Sequence, residues 1–196
     1  MNLSKKMVNM KNTLISLDFS GMRDDDSWNL KHENIQDIVD LFLDAYFSDP
    51  NKVSTRKKSL INVLYYLFFI EGIYSFNINM IIYYEICNKF QEIRIDYGKN
   101  RHKKVIQFDE LNDVGLSNRL KFLRKRGYCE IADLCNVKIR NAIAHNDYYI
   151  DGKGAFIIVS SREKINYSIL NEYIKNLQLF MSFFNTSYMR AKYSDS

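Results

Sequence analysis

Arg140 and His145 are the side chains of this sequence best suited to acid–base chemistry, and they begin and end the hexapeptide RNAIAH at residues 140–145. An imidazole exchanges a proton near neutral pH, and a guanidinium stays charged and can hold two phosphate oxygens. The pair therefore suits cleavage of a phosphodiester. Spacing alone is weak support, because a histidine at a helix C-terminus and an arginine in a surface ion pair explain the same residues.

The elements around the pair are predicted to be helical. Seven apolar residues between Tyr128 and His145 share one face when plotted at about 100° per residue, which predicts one core-facing helix that ends at Asn146-Asp147. The residues of this stripe are Tyr128, Ile131, Ala132, Cys135, Ile139, Ala142 and Ile143.

Composition extends the helical prediction to the rest of the chain. One proline and seven glycines in 196 residues are few for a fold rich in turns. We predict one domain over residues 1–196, in which residues 1–20 and 192–196 are loose. The predicted helices cover Asn29–Phe47, Ser54–Glu71, Asn77–Arg94, Leu116–Arg126, Tyr128–His145 and Ser168–Ala191. A polar loop is predicted at Tyr97–His102, and a β-hairpin at Tyr148–Ile150 and Ala155–Ser160 around Asp151–Gly154.

The hexapeptide resembles the signature of the HEPN superfamily, in which an arginine is followed by four residues, the first often Asn, Asp or His, and then by histidine. The resemblance implies an all-α HEPN-like helical bundle, here with a small β-hairpin insertion after the motif helix. It implies a metal-independent endoribonuclease, with Arg140 and His145 catalytic and Asn141 as the supporting polar residue. A toxin subgroup of this superfamily has a modifiable tyrosine two residues after the histidine. Asp147 takes that position here, so the resemblance does not imply control by that modification.

Cleavage of this kind uses the 2′-hydroxyl of RNA as the nucleophile and leaves a 2′,3′-cyclic phosphate. A separation of five residues turns His145 about 140° from Arg140 and moves it about 7.5 Å along the helix. Asn141, four residues before His145, shares its face and can orient the ring. Two copies of the helix around a two-fold axis would bring two Arg–His sets together, so we expect a homodimer with a composite site.

Net charge is +5, and nine Lys and Arg lie between Lys99 and Arg126 against three acids. Such a tract attracts polyanions, although a solvated helix face explains it as well. Tyr148 and Tyr149 are candidates for stacking on an unpaired base, or for packing of the hairpin. The residues predicted to bind RNA are Arg119, Lys121, Arg124, Lys125, Arg126, Lys138, Tyr148 and Tyr149.

Other classes lack their signatures. The three cysteines form no CxxC pair, and the sequence predicts no metal site and no cofactor. The apolar stretch Leu60–Ile86 is interrupted by Glu71 and several asparagines, so two core helices are predicted instead of a membrane span. The location expected is the cytoplasm.

These residues support two functions. The first is a metal-independent endoribonuclease, acting as a toxin or phage-defence effector with an antitoxin or defence-system partner. The alternative is a non-catalytic HEPN-like module that binds RNA or a nucleotide or forms a dimer interface.

Overall fold

The computed structural model describes residues 3–17, 19, 53–90, 92–96 and 101–193. These residues form two compact units. Unit 1 contains the described residues up to 19, Tyr74–Leu134 and the chain from Leu179, and unit 2 contains residues 53–73 and Cys135–Gln178. Both units are mainly helical, which confirms the predicted helical class. The prediction of one domain over residues 1–196 stays a prediction, and the predicted helix Asn29–Phe47 lies outside the described residues.

The described helices and strands follow the chain in a simple order. The helices are α1 (Leu3–Ile15), α2 (Thr55–Phe69), α3 (Ser75–Glu85), α4 (Leu116–Lys125), α5 (Cys129–Ala132), α6 (Val137–Ala144) and α7 (Tyr167–Tyr193). The strands are β1 (Ile93–Asp96), β2 (His102–Val105), β3 (Tyr148–Ile150), β4 (Phe156–Ile158) and β5 (Lys164–Ile165). The π-helical segments Ile70–Tyr74 and Ile86–Phe90 follow α2 and α3, and a 3₁₀ turn at Asp109–Leu111 precedes α4.

Unit 1 is built around α3, whose sequence is apolar on most sides and of whose eleven residues eight are buried. Just before it, the buried Tyr74 donates a hydrogen bond from its hydroxyl to the carbonyl oxygen of Ile131 at 2.7 Å. This bond gives the hydroxyl the partner that a buried polar group requires. Strands β1 and β2 form an antiparallel pair in which the buried Ile93 lies opposite the buried Val105.

Unit 2 packs α2 and α6 with a three-stranded antiparallel sheet in the order β3-β4-β5. Ser54 caps α2, since its side chain accepts a hydrogen bond from the backbone N–H of Lys57. The sheet is joined to α2 by Ser59, whose hydroxyl donates to the carbonyl oxygen of Gly154 at 2.6 Å. Gly154 has φ +83°, and a Cβ there would lie 2.7 Å from the Ser59 Oγ. The position therefore requires glycine for both its backbone angle and its close approach to α2.

The predicted helix Tyr128–His145 is wrong as one element. The helix breaks between α5 and α6, because the side chain of Asn136 accepts hydrogen bonds from the N–H groups of Lys138 and Ile139 and starts a new helix. The apolar stripe is nevertheless buried throughout. The periodicity of apolar residues correctly predicted which residues are buried, but it did not predict the helix cap at Asn136.

Other predicted boundaries also need correction. Residues 3–15, predicted to be loose, form α1, because its Met10 and Leu14 are fully buried. The break between the predicted helices Ser54–Glu71 and Asn77–Arg94 is wrong, because the π-helical segment Ile70–Tyr74 keeps the helix continuous. Arg94, predicted to end a helix, lies in β1, since the alternation of buried Ile93 and Ile95 with exposed Arg94 is that of a strand. His102, predicted to be in a loop, lies in β2.

The last two elements agree with their predictions. The hairpin forms from β3 and β4, with Tyr148 opposite Ile158, and the sequence pattern missed only the short third strand β5. The predicted final helix is α7, which extends through Lys192, a residue predicted to be loose.

Candidate functional site

Helix α6 begins at an anchored cap. The Asn136 N–H donates to the Tyr66 hydroxyl at 2.9 Å, and the Asn136 side-chain amide donates to the Tyr173 hydroxyl at 3.1 Å. The residue that starts α6 is thereby tied to α2 and to α7 within unit 2. The position of the hexapeptide is set by packing at its N-terminal end.

The C-terminal end of α6 is set by a Schellman motif. Asn146 has φ +54°, in the left-handed region, and its N–H donates to the carbonyl oxygen of Ile143 at 3.1 Å. The N–H of Asp147 donates to the carbonyl oxygen of Ala142 at 2.8 Å. These two bonds reverse the chain directly after His145, the capping residue, and lead Asp147 into β3.

Arg140 is held by two polar partners. Its Nε donates to a carboxylate oxygen of Glu71, and its Nη1 donates to Oδ1 of Asn141 at 3.0 Å. The hydrogen bond to Glu71 raises the pKa of Arg140 further above its usual value, so the guanidinium stays charged. Side-chain exposure of Arg140 is 29%, which leaves part of the cation open to solvent.

Glu71 is the residue of this site that sequence reasoning missed. It comes from the π-helical segment after α2, 69 residues before Arg140. One signal was present, since a carboxylate in the middle of an otherwise apolar helix must have a polar partner or reach water. The identity of that partner is a matter of tertiary packing.

His145 and Asn141 line a pocket of about 300 Å³ that lies within unit 2. Asn141 connects the pocket to Arg140, because its Oδ1 accepts from that guanidinium. Since Asn141 and His145 line the same pocket, their predicted position on one helix face is confirmed. Arg140 is not among the described lining residues, and its direction from the helix axis differs from that of His145 by about 140°. The described lining residues are Lys138, Asn141, Ala142, His145, Asp147, Ile158, Ser160 and Ser161.

Residues of the hairpin complete the described lining. The Asp147 carboxylate accepts hydrogen bonds from both the N–H and the hydroxyl of Ser160, the former at 3.1 Å. Lys138 on α6 forms an ion pair with Glu163 at 3.0 Å. The residues that line the pocket thus include a histidine, a lysine and an aspartate.

The two tyrosines predicted to stack on RNA differ in their surroundings. Tyr148 stacks on Phe156 with ring centroids 4.9 Å apart and an interplanar angle of 15°, so it packs the hairpin. Tyr149 is 52% exposed. Of the two, Tyr149 has the free ring surface that stacking on a base needs.

The basic tract at residues 119–126 lies in unit 1, whereas the hexapeptide lies in unit 2. Arg119 does not belong to an exposed cationic strip, which corrects the prediction. It is buried, and its Nη1 donates to the Asn79 side chain and to the carbonyl oxygen of Ser75. A guanidinium in the core is placed there by its hydrogen bonds, not by phosphate.

The remaining cations of the tract are exposed, and most have contacts of their own. Arg124 pairs with Asp133 at 2.9 Å, and Lys125 pairs with Asp96 at 2.7 Å. The Arg126 guanidinium lies 5.2 Å from the ring centroid of Phe122. Lys121 is exposed on α4. Acids from outside the tract therefore offset part of the charge that the sequence concentrates there.

Comparisons of the chain with protein-family models, with curated proteins and with solved structures found no match. Within the described residues no group of three or more His, Cys, Asp and Glu is arranged to hold a metal ion.

Among the described residues, one helix is long and apolar enough to cross a membrane. The continuous helix Thr55–Asn88 has 34 residues and a most apolar window of mean hydropathy 1.4. Half of that window is buried inside the protein, and buried core helices meet the same condition. Length and hydropathy therefore do not distinguish a span from a core helix here.

Proposed function

We propose that this protein is a metal-independent endoribonuclease of the HEPN type. The observation that carries the proposal is the exposed His145 in a pocket whose Asn141 also binds the Arg140 guanidinium. An imidazole, a neighbouring fixed cation and a cavity open to solvent are the parts that cleavage of RNA by transesterification through its own 2′-hydroxyl needs.

In this reaction His145 takes the proton from the 2′-hydroxyl or gives one to the leaving 5′-oxygen, and water or the His145 of a second copy exchanges the other proton. The side chain is exposed, and an imidazole in contact with solvent can exchange protons in either direction. Arg140 balances the charge that develops on the phosphorane oxygens. Within the described part of the chain, two of its five N–H groups bind Glu71 and Asn141, which leaves three that can bind phosphate.

A homodimer with a composite site belongs to this proposal. Arg140 and His145 leave the α6 axis in directions about 140° apart, and only His145 is among the described lining of the pocket. A second α6 related by a two-fold axis would place its own Arg140 at the first copy's His145. A protein that is monomeric at the concentrations where it cleaves RNA would contradict this part.

The decisive experiment is cleavage of a mixed-sequence RNA in excess EDTA by wild type, His145→Ala and Arg140→Ala. We expect wild type alone to cut, with 2′,3′-cyclic phosphate ends, and His145→Ala to lose about 10²- to 10⁴-fold in rate. His102→Ala is the matched control, since His102 lies in unit 1 on β2, bonded to Asp96. Equal activity of wild type and His145→Ala would refute the proposal.

The second candidate is a non-catalytic module that binds RNA or a nucleotide or forms a dimer interface. The ion pair between Arg140 and Glu71 favours it, because a cation with a carboxylate partner presents less net charge to phosphate. Salt-sensitive RNA binding by wild type with intact RNA recovered after incubation would support this module over the enzyme.

We further propose that the ribonuclease acts in the cytoplasm as a toxin or phage-defence effector held in check by an antitoxin or defence-system partner. A toxin that cuts the RNA of its own cell has to be restrained while that cell grows. Induced expression of wild type is expected to arrest bacterial growth, and the same level of His145→Ala protein is not. Growth unaffected by active wild-type enzyme would contradict a toxin role.

A further inference from the structure

The pocket beside His145 has a set of acceptor groups that the cleavage reaction itself does not use. They belong to Asp147, Ser160 and Ser161, which come from the start of β3 and the turn between β4 and β5. Carboxylate oxygens accept hydrogen bonds and hydroxyls can do so. A ribose phosphate is itself rich in acceptors, so these groups suit another part of the ligand.

Asp147 occupies a position that is usually apolar. It follows the left-handed Asn146 as the second residue beyond the α6 cap, where a Schellman motif commonly packs a hydrophobic side chain back on the helix. Here the side chain is a carboxylate that lines the pocket. A departure from a local rule of this kind is expected at functional sites.

The Asp147 carboxylate is also held in one orientation, and it can accept further hydrogen bonds. Its Oδ1 accepts from the Ser160 N–H at 3.1 Å, and its Oδ2 accepts from the Ser160 hydroxyl. A carboxylate has about four acceptor sites, so the two bonds made by described residues leave about one site on each oxygen. Asp147 thus offers two adjacent acceptors whose direction is fixed by the turn.

The backbone around this wall is in an uncommon conformation. The non-glycine residues with positive φ in the described ranges are Asn146, directly before Asp147, and Arg162, directly after Ser161. Arginine adopts this region at a cost, and such positions concentrate at functional sites. The turn that supplies the serines is therefore maintained against a local preference.

We propose that this pocket binds a guanine base of single-stranded RNA, with Asp147 accepting from its N1–H and N2 amino group. Guanine has two neighbouring donors on this edge. Adenine and cytosine have an amino group beside an acceptor nitrogen, and uracil has one N–H between two carbonyls. A fixed pair of acceptors distinguishes these patterns.

The other lining groups suit the rest of the same nucleotide. Ala142 and Ile158 provide apolar surface for the faces of the base, and Lys138 provides a cation for its phosphate. A pocket of about 300 Å³ is at the small end of ligand sites, which favours one nucleotide over a longer segment. The inference rests on the proposed function, since it makes this pocket the specificity site of the ribonuclease.

The first test uses the wild-type protein and changes only the ligand. RNA hexamers with 2′-O-methyl groups cannot be cleaved, and they differ in a single guanosine, inosine, adenosine, cytidine or uridine. In fluorescence anisotropy we expect guanosine to bind about tenfold more tightly than adenosine, with inosine between them because it lacks the N2 amino group. Equal affinity for the five hexamers would overturn the proposal.

The second test changes the acceptor. Asp147→Asn replaces one acceptor by a donor and is expected to remove the preference for guanosine, while Asp133→Asn, a carboxylate bonded to Arg124 in unit 1, keeps it. Circular dichroism checks that both variants are folded, and an unfolded Asp147→Asn leaves the inosine comparison to decide. An Asp147→Asn protein that still prefers guanosine would contradict the proposal.

Two further arms separate the possible outcomes. Tight binding of free guanosine monophosphate without binding of the guanosine hexamer would assign the pocket to a free nucleotide and overturn the proposal for RNA. Cleavage of unmodified RNA without base preference would overturn the guanine pocket and leave the ribonuclease standing. A guanosine preference in a protein that never cleaves would support the pocket and refute the ribonuclease.

Discussion

Helices α4 and α6 end with the same backbone motif and differ in the side chain that comes directly after it. After α4, Gly127 has φ +90° and the Tyr128 N–H bonds to the Leu123 carbonyl at 3.0 Å. After α6, Asn146 and Asp147 repeat this pattern. Tyr128 is buried, as the motif usually requires, whereas the carboxylate of Asp147 lines a pocket. The two helix ends share their backbone conformation. The side chain that follows is what distinguishes the end of α4, which only packs in the core, from the end of α6, which lies at a candidate site.

The charges of the two helices teach the same lesson. The basic tract of α4 dominates the sequence, yet Arg119 is buried and Arg124 is paired with Asp133. On α6 the polar residues are fewer, and Lys138, Asn141 and His145 line one pocket. Convergence of different polar groups is a better sign of a site than the density of one charge.

The ion pair at each helix provides the strongest test of this difference. Glu71→Gln is expected to lower the rate of RNA cleavage about a hundredfold, because Arg140 loses the partner that positions it. Asp133→Asn breaks the corresponding pair of α4 and is expected to leave the rate unchanged. Initial rates with a fluorogenic RNA measure both, and restoration by Glu71→Asp would separate positioning from general destabilisation. Similar losses in the two variants would erase the proposed difference between the helices.

For the free energy of unfolding we expect the opposite result, with a larger loss from a substitution on α4 than from one on α6. Arg119→Ala removes a buried guanidinium from Asn79 and Ser75 and is expected to reduce the free energy of unfolding by about 3 kcal/mol. Lys138→Ala on α6 removes an exposed ion pair with Glu163 and is expected to cost under about 1 kcal/mol. Urea unfolding followed by circular dichroism gives both values. An Arg119→Ala protein as stable as wild type would contradict the buried position of Arg119 and would favour the exposed basic tract predicted from the sequence.

Two glycines with positive φ extend the comparison to smaller effects. Gly127→Ala meets only the backbone preference and is expected to cost about 1 kcal/mol, since nothing lies within 4 Å of its Cβ position. Gly154→Ala adds contacts at 2.7 Å with Ser59 and 2.8 Å with Thr55, and is expected to cost about 2–3 kcal/mol. Gly152→Ala, with open space around it, is the control. Equal shifts in melting temperature for Gly127→Ala and Gly154→Ala would show that α2 and the sheet move apart at little cost to accommodate the added methyl group.

The smallest expected effect is electrostatic. Lys125 lowers the pKa of Asp96 in unit 1, and in unit 2 the backbone N–H of Ala155, followed by Lys164, lowers the pKa of Asp151. Because both folded pKa values are depressed, each interaction stabilises the protein above the unfolded pKa of about 3.9. The stabilisation is lost as the pH falls through the folded pKa.

Salt distinguishes the two carboxylates. An NMR titration is expected to show the Asp96 pKa moving toward its ordinary value at high salt, since its main partner is an exposed ammonium group. The Asp151 pKa should move less, because a backbone hydrogen bond is its main cause. Equal salt shifts for the two groups would contradict this assignment.

Local patterns predicted much of the fold and part of the site. The hairpin was predicted from alternating residues around a glycine-containing turn, and the end of α6 from Asn146-Asp147. The break at Asn136 was missed, because an apolar stripe continues across a cap without changing its period. Strand β1 was missed because a four-residue strand offers too few positions to outweigh the helical pattern before it. Strand β2 was missed because its first residue, His102, belongs to a stretch whose polar residues predict a loop.

Sequence by itself determined where the helices carry their apolar faces, which residues end α6, and that Asn141 and His145 share a side. These properties depend on neighbours a few residues apart, so propensity and capping decide them. Tertiary structure alone decided that Glu71 binds Arg140, that Ser160 holds Asp147 and that Arg119 is buried. The two carboxylates lie 69 and 13 residues from their partners, and only packing determines which distant side chains meet.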